Sequence, residues 1–300
     1  MRADVLIAGG LALLLTHSPA DAQEKLKVIA SFSILGDLVT NVGGDRVTVD
    51  TLVGRIANAH AYNPSPADTK KIANARIVFV NGLGFEGWLD RLIKASGTKA
   101  PVVVASTGVQ QIEHPDDPSR GHDHGKVDPH AWQSVANVKI YTTNIRNGLI
   151  DIDPDGKATY VSNAEAYLAK LDALEDEVKT GISRIPADRR RIITSHRAFG
   201  YFETAYGISF GAPQGMSTDA EASAKDVASI ITQVKQQKVA GVFLENVIDP
   251  RLIRQIASES GARVGGVLYS DALTDENGEA PSYLDLIRHN LKQLVGSLAN

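Results

Sequence analysis

From residue 26 onward, short apolar runs alternate with segments whose apolar residues recur every three or four positions, and this alternation constrains the fold more than any other property of the chain. A short run rich in β-branched residues, buried on both faces and followed by an amphipathic helix, builds a parallel sheet covered by helices. Strands are predicted at 27–31, 47–53, 77–80 and 102–105 in the first half. The second half repeats the pattern at 191–194, 207–210, 239–244 and 263–268. Between the two series one helical pattern begins near Pro154 and ends before Pro186, with Tyr160, Ala164, Tyr167, Leu171, Leu174, Val178 and Ile182 on one face. A helix of about 28 residues spans about 42 Å, enough to cross two lobes. The predicted fold class is α/β: two α/β lobes with parallel sheets, joined by one long rigid helix, with a cleft between them. One large doubly wound domain with a long surface helix is the competing arrangement.

The first residues address the compartment. Arg2, the apolar run 5–15 and the small-residue site Ala20-Asp21-Ala22 have the layout of a secretory signal peptide. The run is much shorter than the roughly 20 apolar residues of a membrane span. Removal of residues 1–22 leaves a chain divided as 23–150 (N-terminal lobe), 151–186 (linking helix) and 187–300 (C-terminal lobe), with no further membrane span. The formal net charge of −4 does not suggest a nucleic-acid surface. Because the chain has no cysteine, neither a disulfide framework nor a thiolate metal site is open to it.

Histidine and carboxylate remain as carriers of metal chemistry. His60 follows the strand at 47–53 in a turn fixed by Pro64 and Pro66. His130 follows Asp128-Pro129 at a loop-to-helix junction, and His196 follows the strand at 191–194. Two carboxylates stand past later strands, Glu245 and Asp271. Ligands collect at the carboxyl ends of strands in open α/β sheets, which makes these residues a candidate set; spacing alone leaves each of them equally open to a reading as an ordinary polar loop residue. Gly82-Leu83-Gly84-Phe85-Glu86-Gly87 satisfies the G-x-G-x-x-G pattern of a dinucleotide loop. The acidic residue expected about 20 positions on is missing, so the glycines read as a tight strand-to-helix turn. No metalloprotease, hydrolase-elbow or phosphate-loop motif is found, and the chain is not expected to be an enzyme.

The ordered stretches Ala30 to Asp37, His60 to Asp68, Asn81 to Trp88, Asp128 to Trp132, Thr194 to Phe202 and Phe243 to Glu245 resemble the solute-binding proteins of zinc and manganese ABC importers, of the ZnuA and TroA type. The resemblance covers nearly the whole chain after residue 22. It implies one metal held between the lobes by residues matching His60, His130, His196 and Asp271, with Glu245 beside the site. It also implies delivery of the metal to the membrane permease of an ABC importer. Relatives of the manganese type generally carry glutamate where His196 stands, and three imidazoles with one carboxylate suit zinc, so zinc is the expected cargo. Manganese or iron capture on the same fold is the alternative, and a secreted zinc hydrolase or an adhesin are alternatives of other classes. The chain departs from the family at Gln133-Ser134-Val135, where many members have Leu and Pro, and in the Tyr269-Ser270-Asp271 context of the fourth ligand. His114, His122 and His124, with Asp116, Asp117 and Asp123, match a short form of the family's histidine-rich loop and are read as a metal-acquisition segment. Transfer from a periplasmic metallochaperone is compatible with that reading. A monomer is expected. Lipid-anchored relatives have a cysteine at the mature N-terminus, so a freely diffusing periplasmic protein without a lipid anchor is expected here.

Overall fold

The computed structural model describes residues 24–113, 127–219, 221–237 and 239–299; the signal-peptide reading and the loop residues His114, His122, His124 and Asp123 lie outside them. Four strands, β1 (Leu26–Phe32), β2 (Val47–Val53), β3 (Ile77–Val80) and β4 (Val102–Val104), form one parallel sheet in the order β2-β1-β3-β4. Four more, β5 (Arg191–Ile193), β6 (Ser209–Gly211), β7 (Gly241–Glu245) and β8 (Val264–Leu268), form a second in the order β6-β5-β7-β8. Both orders are the same winding, in which the second strand lies outside the first and the chain then crosses to the other side. The central strands read as continuous apolar runs because helices cover both faces: all four residues of β3 are buried. Strand β6 begins two residues later than predicted. Gly207 is the left-handed C-cap of the helix α6 (Gly200–Tyr206), with φ 74°, and belongs to that turn.

Helices α1 (Ser33–Gly43), α2 (Pro66–Ala73), α3 (Leu89–Ser96) and α4 (Val135–Ile152) belong to the first lobe. Helix α2 starts where its sequence says it should, with Ser65 and Asp68 forming a reciprocal capping box and Pro66 in the first turn. The long helix α5 (Lys157–Ser183) has 27 residues, about 40 Å. Its buried face is the predicted one, Tyr160, Ala164, Tyr167, Leu171, Leu174, Val178 and Ile182, and it packs on α1, α4 and the C-terminal helix α9 (Tyr283–Leu298). Its start is pinned by Asp153, which accepts three hydrogen bonds from Arg46 and one from the Tyr160 hydroxyl. The second lobe is completed by α6, α7 (Ala224–Gln236) and α8 (Arg251–Ser260). Among the described residues no helix is long and apolar enough to cross a membrane.

The lobes meet along a seam that runs beside the carboxyl ends of both sheets. The segment after β8 is tied to the first lobe by several hydrogen bonds: Ile56 N–H to the Leu273 carbonyl, Arg55 Nη1 to the Thr274 and Pro281 carbonyls, Leu273 N–H to Ser33 Oγ, and Tyr283 N–H to Asp37 Oδ2. On the opposite side of the seam, Asn58 Nδ2 donates to Thr218 Oγ1.

Candidate metal centre

The turn after β2 delivers His60, whose own N–H is fixed by Asn58 Oδ1 at 3.0 Å. His130 is delivered by Asp128-Pro129, and one oxygen of Asp128 accepts both the His130 N–H at 2.9 Å and its ring Nδ1 at 2.8 Å. The proton of this imidazole is thereby held on Nδ1, and Nε2 is left as a lone pair. His196 follows β5. There Glu245, the last residue of β7, accepts the Ser195 and His196 N–H groups with Oε1 and approaches His196 Nδ1 to 2.7 Å with Oε2. Asp271 arrives three residues past β8.

These four side chains come from four loops yet place one ligating atom each within 4.8 Å of all the others. His60 Nε2 and His130 Nε2 are 3.1 Å apart. Asp271 Oδ2 lies 3.1 Å from His196 Nε2 and 3.6 Å from His60 Nε2, and Oδ1 lies 3.8 Å from His130 Nε2. Two imidazole nitrogens at such a distance must share a hydrogen or a cation, since paired lone pairs repel. Neither oxygen of Asp271 receives a well-aligned hydrogen bond, and both face the three nitrogens. His130, His196 and Asp271 are at most 1% exposed, whereas His60 is 8% exposed and borders a cavity of about 780 Å³ walled by Tyr62, Phe85, Trp88, Arg91 and Met216. His60 thus marks the side from which an ion would reach the site. Aromatic rings back the cluster, Phe85 at 4.8 Å from the His60 ring and Trp132 at 5.3 Å from that of His130. Burial opposes charge on His196, but the Glu245 and Asp271 carboxylates outweigh it and hold its pKa at about 10. Burial likewise opposes the Asp271 carboxylate, and the three histidines, His196 foremost, keep it below the usual range.

The G-x-G-x-x-G turn has a different employment from nucleotide binding. Gly82, Leu83 and Gly84 all take positive φ, and the Glu86 carboxylate closes the turn by accepting the Asn81 and Gly82 N–H groups and the Ser31 hydroxyl. Asn81, so held, donates Nδ2 to the Pro129 carbonyl and accepts from the Tyr141 hydroxyl, fixing the loop that carries His130. Asp128 and Asn81 were not singled out as functional by sequence reasoning; the carboxylate two positions before a loop histidine was the available signal for the first.

Fold and site together define a two-lobed binding protein for a single divalent cation. The chain belongs to the ZnuA family, zinc-uptake complex component A, periplasmic, whose model matches residues 28–297. It is similar to the manganese-binding lipoprotein MntA of Halalkalibacterium halodurans, with 34% identity over 294 residues covering 98% of this chain and 95% of MntA. It is 33% identical to the iron-binding protein YfeA of Yersinia pestis over 276 residues, 92% of this chain and 87% of YfeA. Among solved structures, the periplasmic zinc-binding protein TroA from Treponema pallidum superposes with a TM-score of 0.84 at 26% identity, covering 92% of this chain and 100% of TroA. The chain is therefore the metal-binding component of an ABC transporter, with a membrane permease and ATPase as partners, and not an enzyme.

One expectation is corrected. The chain was expected to diffuse freely in the periplasm without a lipid anchor, yet MntA and several further relatives matched along nearly their whole length are named lipoproteins. As regards anchoring, the absence of cysteine bears only on thioether attachment within these 300 residues, too narrow a ground for excluding an anchor.

Proposed function

We propose that the protein captures one zinc ion with His60, His130 and His196 through Nε2 and with Asp271 through its carboxylate, and releases it to the importer. The observation that carries this reading is the spacing of the four donors. Ligands about 2.0–2.1 Å from a tetrahedral zinc ion lie about 3.3 Å from one another. With Asp271 Oδ2 as the fourth donor, three of the six edges measure 3.1, 3.1 and 3.6 Å and bracket that value, and all six lie within 4.8 Å, close enough to converge on one ion. Three nitrogens and one oxygen are a donor set that favours zinc over manganese, whose preference is for oxygen. Asp128 and Glu245 add the carboxylate–imidazole support that orients ligating histidines and raises their basicity.

Manganese or iron capture is the second reading, favoured by the names of MntA and YfeA and by the two free oxygens of Asp271, which permit a fifth bond. Competition titration of the metal-free protein with zinc, manganese and ferrous iron decides between them. Zinc should displace both others, and Asp271→Ala should weaken zinc by at least about 100-fold. A preference for manganese in the unaltered protein would overturn the zinc assignment, and an Asp271→Ala protein of unchanged affinity would overturn the four-ligand set.

A further inference from the structure

The carbonyl of Ser270, one residue before Asp271, accepts two hydrogen bonds from the other lobe. Trp132 Nε1 donates at 2.9 Å and Gln133 Nε2 at 2.7 Å. All three residues are fully buried. Trp132 and Gln133 lie in the short 3-10 turn Ala131–Gln133 that begins immediately after His130, and the Gln133 N–H returns to the His130 carbonyl at 3.1 Å. The peptide that aims Asp271 is therefore hung from the peptide that aims His130, across the seam between lobes and 137 residues along the chain.

The side chain of Gln133 is an expensive one for its position. A carbonyl can only accept, so the amide must turn its NH₂ toward Ser270, and its Oε1 is left buried with no partner. An unpaired buried acceptor costs stability, and an apolar side chain of the same length would fill the space without that cost. The Ser270 carbonyl would still have Trp132. Stability therefore does not account for the amide, whereas its hydrogen bond, the second on the Ser270 carbonyl, restricts the peptide that carries Asp271, whose own carboxylate oxygens receive no well-aligned bond. Asn246 Nδ2, which donates to the Ala272 carbonyl, restrains the following peptide from the second lobe.

We propose that Gln133 is a positioning residue for Asp271, holding the carboxylate in register with His130 so that the donors stand ready before the ion arrives. This rests on Asp271 being a metal ligand. The test is a double-mutant cycle on the full chain, with zinc affinity measured by competition and the visible absorption of the cobalt(II) form recorded alongside. Gln133→Leu should weaken zinc about tenfold and alter the cobalt spectrum, while the metal-free protein melts no lower than the unaltered one. In the Asp271→Ala background the same substitution should change zinc affinity less than about twofold. Gln133→Met provides the same comparison if the leucine variant fails to fold. An unchanged affinity and spectrum in Gln133→Leu, or a loss of equal size in both backgrounds, overturns the positioning role while leaving the four-ligand site intact. An Asp271→Ala protein that binds zinc normally overturns both.

Discussion

Glu245→Gln is a substitution of nearly identical shape whose effect follows from hydrogen-bond bookkeeping at three atoms. Glu245 Oε1 accepts from Ser195 N–H at 2.7 Å and His196 N–H at 3.0 Å, and Oε2 stands 2.7 Å from His196 Nδ1. Glutamine has one accepting end and one donating end. Two buried backbone donors can be met only by its oxygen, so its NH₂ must face Nδ1. That contact requires a lone pair on Nδ1, so the one proton left on the ring when it becomes neutral to bind metal sits on Nε2, the atom that points at Asp271 from 3.1 Å and at the proposed ion. Binding then demands either loss of the two backbone bonds or a return to the other tautomer. Substitution of such a supporting group typically costs 10- to 100-fold in affinity, about 1.4 to 2.7 kcal/mol. Competition against a chromophoric chelator at pH 7.5 measures the affinity, and scanning calorimetry of the metal-free protein measures the fold. Affinity should fall by that factor with the melting temperature shifted little. A Glu245→Gln protein that binds zinc within twofold of the unaltered one would refute the tautomer argument.

Asp37 gives a pH dependence of stability. Burial beside α9 pushes its carboxyl up to about 6 from 3.8, against the Tyr283 N–H and Arg55, which favour the charged form. Between those values the folded chain holds a proton that the unfolded chain has released, so stability falls as pH rises through this window and the cost is complete above about 6. Unfolding free energies from denaturant titrations between pH 4 and 7 should show a decline of about 1 to 3 kcal/mol that Asp37→Asn flattens; an unchanged slope in the variant would remove Asp37 as its cause. Gly82→Ala drives a Cβ into Val104 Cγ1 at φ 81° and should cost about 1 to 3 kcal/mol in thermal unfolding, with weaker metal binding through the Asn81–Pro129 bond. A variant as stable as the parent would contradict the strained geometry. Asp153→Ala removes the acceptor shared by Arg46 and Tyr160 and should lower stability by about 2 kcal/mol without altering zinc affinity, which chemical denaturation and titration of the same sample would check.

The lobes and their joining helix were legible because each rests on a local period. Buried parallel strands and a 27-residue amphipathic helix announce themselves in any short window of sequence. The candidate donors were legible only in part: position past a strand end drew attention to His60, His196, Glu245 and Asp271, and the family resemblance made a set of residues more than 200 positions apart in the chain. What holds them was mostly invisible. Gln133 looked like a harmless departure from the family pattern, since a bond to a carbonyl on the opposite lobe leaves no trace in neighbouring residues. Asp128 had a local cue, but the use of one oxygen for both the backbone and the ring of His130 depends on the turn geometry.

The polypeptide passes from the first sheet to the second once, through α5. Where lobes are joined by extended strands, a few torsions can absorb a wide swing. A rod whose every interior amide is bonded four residues back has no such torsions to give along its length, so any swing of the lobes is left to the seven residues between α5 and β5. The molecule is in this sense a spring clip and not a pair of jaws. Small excursions are cheap and large ones are not, which suits a cargo of atomic size and shuts out any solute that would need the cleft to gape.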